Sequence, residues 1–305
     1  MEREYRIGHY PFTGTEEPSV IHWEFGRAVD KLLSEPLFVG TNKTIVSHSL
    51  SRFFAHAEEM FAGETTARAK GEEGANLYYH NVSHAVHQAP YDGITILTAV
   101  LNRNDALSRH LTREGVIGEI IGLIYHDAGY VFEAREGENY AARTPIHVEE
   151  SIRAMKDAIR QIKLPAFLNS GKIEKMAELA IAATKFPYTN EQEREARETL
   201  DTIPPEERKE AQIIRMCARL ADLGGQTARC DYFSRHLPAL RSEMNAIQDG
   251  LGDSVIGNDC EISDKCRDFI NLVVEKQVGK IANAIYRTPN NTYQILWNNL
   301  QRQPE

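Results

Sequence analysis

The segment Gly115–Asp127, GVIGEIIGLIYHD, sets Val116, Ile117, Ile120, Ile121 and Ile124 at three- and four-residue steps and closes on an adjacent His126–Asp127 pair. That spacing is one face of a buried helix. A carboxylate delivered by a buried helix has to be paired or bound to a metal, because an uncompensated buried charge is costly. The plain alternative is a capping aspartate with a chance neighbour, since Asp is common at helix ends.

The rest of the chain reads as helical too. TPIHVEESIRAMKDAIRQI offers Thr144 as N-cap and Pro145 at the first helical position, with Ile152, Met155 and Ile159 on the apolar side. PPEERKEAQIIRMCARLADLGG opens with proline and acids and stops at Gly224-Gly225. SDKCRDFINLVVEKQVGKIANAI has Ser263 as cap and Phe269, Val273, Ile281 and Ile285 on one stripe. No run alternates β-branched and polar residues, and no Asn-Gly or Asp-Gly turn is flanked by such runs. Residues 63–76, 133–143, 189–199 and 248–261 are polar or Gly-rich and read as loops, none of them an interdomain linker. The expectation is one compact all-α domain over residues 46–305. Residues 1–45 form an N-terminal extension with a short helix around Trp23–Leu33.

YYHNVSHAVHQ puts three of the chain's 11 histidines, His80, His84 and His87, at i, i+4 and i+7, one face if the stretch is helical. An isolated H-x-x-x-H is not diagnostic, and a surface helix carries such a pattern by chance. The zinc-protease version needs a glutamate where Asn81 stands, which excludes it. Asp222, among Leu220, Ala221 and Leu223, sits near a helix C-terminus, where an acid opposes the dipole unless a cation is near. One distal His, the His-Asp pair and a distal Asp make a mixed N/O donor set. It suits zinc, iron or manganese at one position, with an oxygen-rich second position for magnesium or manganese.

His84, His126-Asp127 and Asp222, in that order, resemble the H…HD…D signature of the HD-domain metal-dependent phosphohydrolases. The flanking residues narrow the resemblance to the class I cyclic-nucleotide phosphodiesterases. YHNVSHA is similar to their YHNxxHA motif, AIAATKFPY to their ATD-containing helix with Thr184 in place, and RLADLGG to the segment with their last metal-binding aspartate. GNDCEISDKC…VEKQVGKI is similar to their ISPxCDK…SQVGFI region. The likeness runs from about Ser49 to the C-terminus.

The resemblance implies a compact all-α catalytic domain with two divalent ions at the bottom of a deep pocket. His84, His126, Asp127 and Asp222 would ligate the tighter ion, with Asp127 bridging to the second. A hydroxide between the ions would be the nucleophile. His80 matches the general acid that protonates the departing ribose oxygen, a task suited to an imidazole. Glu149 falls about where the family has a glutamate bonded to metal-bound solvent, with His147 and Glu150 as rivals. His87 stands where the family usually has aspartate, and either orients a ligand or is simply a satisfied histidine. Gln277, a polar amide on an apolar stripe, either finds partners in the core or matches the glutamine that reads a purine. Three further positions depart from the pattern. Lys280 replaces the phenylalanine that clamps the base, Gly225 stands where asparagine is common, and Tyr130 replaces the second histidine of HDxxH.

The implied reaction is hydrolysis of a cyclic 3′,5′-phosphodiester to a 5′-nucleoside monophosphate, with a small nucleotide as substrate. Another HD-type phosphohydrolase acting on a different phosphodiester is the enzymatic alternative, and a nucleotide-binding sensor without turnover the other. The net charge of −9 argues against a protein that coats polymeric nucleic acid or anionic membrane. It does not exclude a small anionic substrate, because metals invert the field inside one pocket. No apolar run spans a membrane and the first residues lack a signal-peptide pattern. Cys217, Cys230, Cys260 and Cys266 show no C-x-x-C spacing, so a reducing cytoplasm is the expectation. A homodimer is left open.

Overall fold

A computed structural model describes residues 18–70, 77, 79–102, 107–134, 140–143, 146–185, 194, 198–224, 239–240 and 243. Among them every regular element is helical and none is a strand, as an all-α chain requires. The elements are α1 (Pro18–Leu33), α2 (Lys43–Lys70), α3 (Ala89–Asn102), α4 (Arg113–Tyr125), α5 (His147–Ile162), α6 (Ser170–Ala183) and α7 (Pro205–Arg219). A π turn, Ser83–Gln88, leads into α3, and a second, Leu220–Gly224, follows α7. No helix among the described residues is long and apolar enough to cross a membrane.

The helix with which the sequence reading began lies at the centre. From Gly115 to Tyr125 every residue of α4 is buried, so neighbours surround it on all sides. Its first turn is capped by Thr112, whose Oγ1 accepts from Gly115 N at 3.1 Å. Glu210 of α7 accepts from both Thr112 N and Oγ1 at 2.6 Å and meets Lys172 of α6 at 2.7 Å, so one carboxylate ties three helix starts together. On the α6 side, Gly118 and Gly122 let two backbones approach. A Cβ at either position would lie 2.7 Å from a carbonyl oxygen of α6, that of Ile173 or of Ala177. Glu119 is the polar exception in α4. Both its oxygens lack a hydrogen bond, and burial holds its carboxyl well above the usual range, hence neutral.

α1 is longer than the expected Trp23–Leu33 and sends Phe25, Val29 and Leu32 into the same core as α2. Phe25 stacks on Phe54 at 4.2 Å. In α5, Met155 and Ile159 are buried as the stripe predicts, with Ser151, Ala154 and Ala158 beside them. That helix begins at His147 with Ile146 at the cap position; Thr144 and Pro145 lie outside the described residues, as does the helix expected after Ser263.

Two expectations are corrected. Residues 63–70 are not loop, because α2 continues through Lys70. Gly63 is exposed with open space around it, so it costs the helix only about 1 kcal/mol, while Phe61 and Glu64 on either side are buried. The three histidines of the cluster do not share one helical face. His80 precedes the helix, and in the π turn the Ala89 N–H reaches back five residues to His84 O, which widens the spiral. Pro90, with no N–H to offer the preceding turn, marks where this register gives way to α3.

Candidate metal centre

Three segments bring donors to one point. The C-terminal end of α4 supplies His126 and Asp127, the first π turn supplies His84 and the second supplies Asp222. Both π turns thus carry a donor, in keeping with the tendency of such insertions to lie at functional sites. All four residues are at most 5% exposed. His84 Nε2 lies 3.4 Å from Asp127 Oδ2 and 3.2 Å from Asp222 Oδ1. His126 Nε2 lies 3.1 Å from Asp127 Oδ2 and 3.5 Å from Asp222 Oδ1. Donors bound to one ion at about 2.0–2.2 Å sit roughly 3–3.5 Å from one another, and these four separations are of that size.

Tautomer and charge support that fit. His126 Nδ1–H donates to the Leu123 carbonyl at 2.8 Å, which leaves Nε2 as the atom aimed at the carboxylates. His126 Nε2 and Asp127 Oδ2 are buried and face each other at 3.1 Å, with no well-aligned hydrogen bond to either atom among the described residues. Two carboxylates converging on imidazole lone pairs call for a cation. Without a metal, protons supply it. Burial alone disfavours charged His126, yet Asp127 and Asp222 push its pKa well above the ordinary value. Burial would likewise raise Asp127 and Asp222, but the facing imidazoles hold both below the usual carboxylate range. These buried His and Asp groups could hold a metal ion: His84, His126 and Asp222 form one set, and His80, His84 and Asp127 another.

His80 stands beside this quartet in a different environment. Its Nδ1 is hydrogen-bonded to Glu243 Oε1, and Glu243 Oε2 accepts from the backbone N–H groups of Tyr79 and His80 at 3.0 and 3.1 Å. Burial opposes charge on His80, but Glu243, Asp127 and Asp222 outweigh it and raise the pKa to about 9. Glu243 is wholly buried and was not singled out by sequence reasoning. An acid 163 residues from its partner, three positions after an apolar leucine, carries no local signal. Asn81, which excluded the zinc-protease pattern, caps the π turn by accepting from Ser83 N at 2.9 Å.

The remaining expected residues lie apart from the donor sets. His87 Nε2 meets Glu58 Oε1 of α2 at 2.8 Å, and its ring stacks on Phe54 at 5.7 Å. His147 is buried against Tyr130, their rings 4.7 Å apart. Glu149 is exposed in the first turn of α5, and Glu150 is bonded to Arg153. Thr184 ends α6 and donates to Ile181 O at 2.8 Å. Gln277, Lys280 and Gly225 lie outside the described residues. In comparisons with family models and with curated proteins, nothing matches this chain.

Proposed function

We propose that this chain is a metal-dependent phosphohydrolase of the HD type. Its reaction on this reading is hydrolysis of a cyclic nucleotide 3′,5′-phosphodiester to the 5′-monophosphate. The observation that carries it is the buried quartet with edges of 3.1–3.5 Å and, immediately beside it, an imidazole kept apart by its own carboxylate. His84, His126, Asp127 and Asp222 would hold the tighter ion (zinc, iron or manganese), and Asp127 would share a second (magnesium or manganese). When bound, the ions would supply an activated water and neutralise phosphoryl charge.

The chain's own residues supply the rest. His126 is locked in the ligating tautomer by Leu123 O. His80, with Nδ1 committed to Glu243, has Nε2 available to protonate the leaving oxygen, and the Glu243 carboxylate favours its protonated form. A sensor that only binds a nucleotide has no need of such a group. On the base side, Gln277 would read a purine; the alkyl stem of Lys280 would cover the base, or its ammonium would meet an extra phosphate and favour a larger substrate. The test is direct. Purified protein is incubated with Mn²⁺ or Mg²⁺ and a panel of cyclic mono- and dinucleotides, and products are identified by mass. A 5′-monophosphate or a linear dinucleotide is the expected product; no hydrolysis of any member sinks the proposal.

A further inference from the structure

Tyr130, in the tight turn Ala128–Tyr130 just after Asp127, is 1% exposed and fills the space between two imidazoles. His80 stacks on one face, with ring centroids 4.8 Å apart and planes at 24°. His147 stacks on the other, at 4.7 Å and 15°. Neither Tyr130 nor His147 belongs to the donor sets, so the column meets the cation cage only at His80.

Its use follows from how His80 is otherwise held. Glu243 fixes Nδ1, and Tyr79 meets the ring edge-on at 4.7 Å. A hydrogen bond at one ring atom sets one direction and leaves the imidazole free to swing about it. A flat contact across the ring face removes that freedom. With both constraints the plane of the ring and the direction of Nε2 are fixed, in a residue grouped with His84 and Asp127.

The column is itself anchored. Gly129 N–H donates to Ser151 Oγ at 2.8 Å, and Gly129 O accepts from Arg143 Nε at 2.9 Å. A Cβ on Gly129 would collide with the His147 carbonyl, so only glycine lets the start of α5 close under the tyrosine.

We infer that Tyr130 is a positioning residue for the general acid: its ring face sets the plane of His80, and His147 backs it. This rests on the reading of His80 as the acid. In the step concerned, the oxygen of water forms the new bond to phosphorus and its surplus proton passes to solvent, while the bond to the leaving oxygen breaks with its electron pair on that oxygen. The oxygen takes the His80 Nε2 proton, and the imidazole is left neutral.

The test uses the full Mn²⁺-loaded chain and two probes, diphenyl phosphate and bis(p-nitrophenyl) phosphate. Phenolate leaves far more readily with a proton, whereas p-nitrophenolate scarcely needs one. Tyr130→Leu should lower kcat on diphenyl phosphate about 10–100-fold, part of the range for general acid catalysis, and on the nitrophenyl ester by less than about threefold. KM and bound metal should not change. Tyr130→Phe, which keeps the ring face, should restore the diphenyl phosphate rate. His80→Ala is run alongside. If it slows both probes equally, His80 is not the acid and the inference fails with that reading. If it discriminates and Tyr130→Leu does not, the positioning role alone is overturned. Should Tyr130→Leu not fold by circular dichroism, His147→Leu must show the same discrimination in weaker form, and equal rates on both probes overturn the inference.

Discussion

Two clusters of imidazole and carboxylate share the segment His80–Gln88, and they are built on opposite principles. In the inner one, His84 and His126 each face both Asp127 and Asp222, so every donor has two counterparts and the four atoms converge. In the outer one, a single carboxylate, Glu58, is divided between two imidazoles. Its Oε1 meets His87 and its Oε2 meets His22. The inner cluster is buried throughout, whereas the His22 side chain is 42% exposed. Each outer nitrogen already has its own oxygen, and the three groups do not form a set able to hold an ion. His84 and His87 are three residues apart, but the π turn sends one to each cluster. Residue type alone therefore does not make a metal site; convergence of donors short of positive charge does.

The largest effect should separate the clusters outright. Asp127→Ala and Asp222→Ala each remove a donor with two imidazole counterparts. Both should lose bound metal by elemental analysis, and turnover should fall by at least about a thousandfold, the scale of losing the charge stabilisation a metal provides. Full metal occupancy in both variants would overturn the assignment of this cluster. Next comes His80→Ala, which should keep its metal while kcat drops about 10²–10⁴-fold, the usual worth of a general acid. A metal-depleted but otherwise competent His80→Ala would instead make His80 a ligand.

How much of this could be read from the sequence follows the same division. Periodicity located α4 and end signals located α7, and the inner quartet was legible because three of its members break a pattern and the fourth, His84, lies in a histidine cluster. His126-Asp127 closes an apolar helix, and Asp222 sits where the dipole disfavours it. Glu58 and Glu243 break no pattern. Each is an acid on or near a helix, and only the fold brings it to a histidine 29 or 163 residues away. The π turns were invisible for a related reason, since a one-residue change of register leaves composition and spacing untouched. Gly118 and Gly122 were not singled out in the sequence, although a Cβ at either would collide with the backbone of α6. The resemblance to a family motif implied an acid role for His80, but pointed to neither the carboxylate bonded to it nor the tyrosine stacked on it.

A smaller effect concerns pH. In the metal-stripped protein His80 has a pKa near 9, against about 6.5 for an unperturbed histidine. A histidine whose folded pKa is raised adds stability that is complete below its unfolded pKa and disappears as pH rises through the folded one. Comparing apo wild type with apo Glu243→Gln therefore isolates the His80–Glu243 pair. The difference in unfolding free energy should be roughly 1–3 kcal/mol below pH 6.5, shrink as pH rises from 6.5 through 9, and level off by about pH 10 at what the bonds to the backbone of Tyr79 and His80 contribute. A difference that stays constant across this range would show that Glu243 acts only through its bonds to the backbone of Tyr79 and His80.

The smallest effects belong to the outer cluster. Glu58→Ala strips both imidazoles of their oxygen, but the two losses are unequal. His87 is 9% exposed and its Nε2 would be left in the core boundary without a partner, at a cost of about 1–2 kcal/mol. His22 is open to water, which replaces the carboxylate, so His22→Ala should cost well under about 1 kcal/mol. Metal content and turnover should match wild type in both variants, because neither residue meets the inner quartet. Chemical denaturation and elemental analysis of the two variants decide it. If Glu58→Ala lowers bound metal, the π turn transmits strain from His87 to His84, and the two clusters are one.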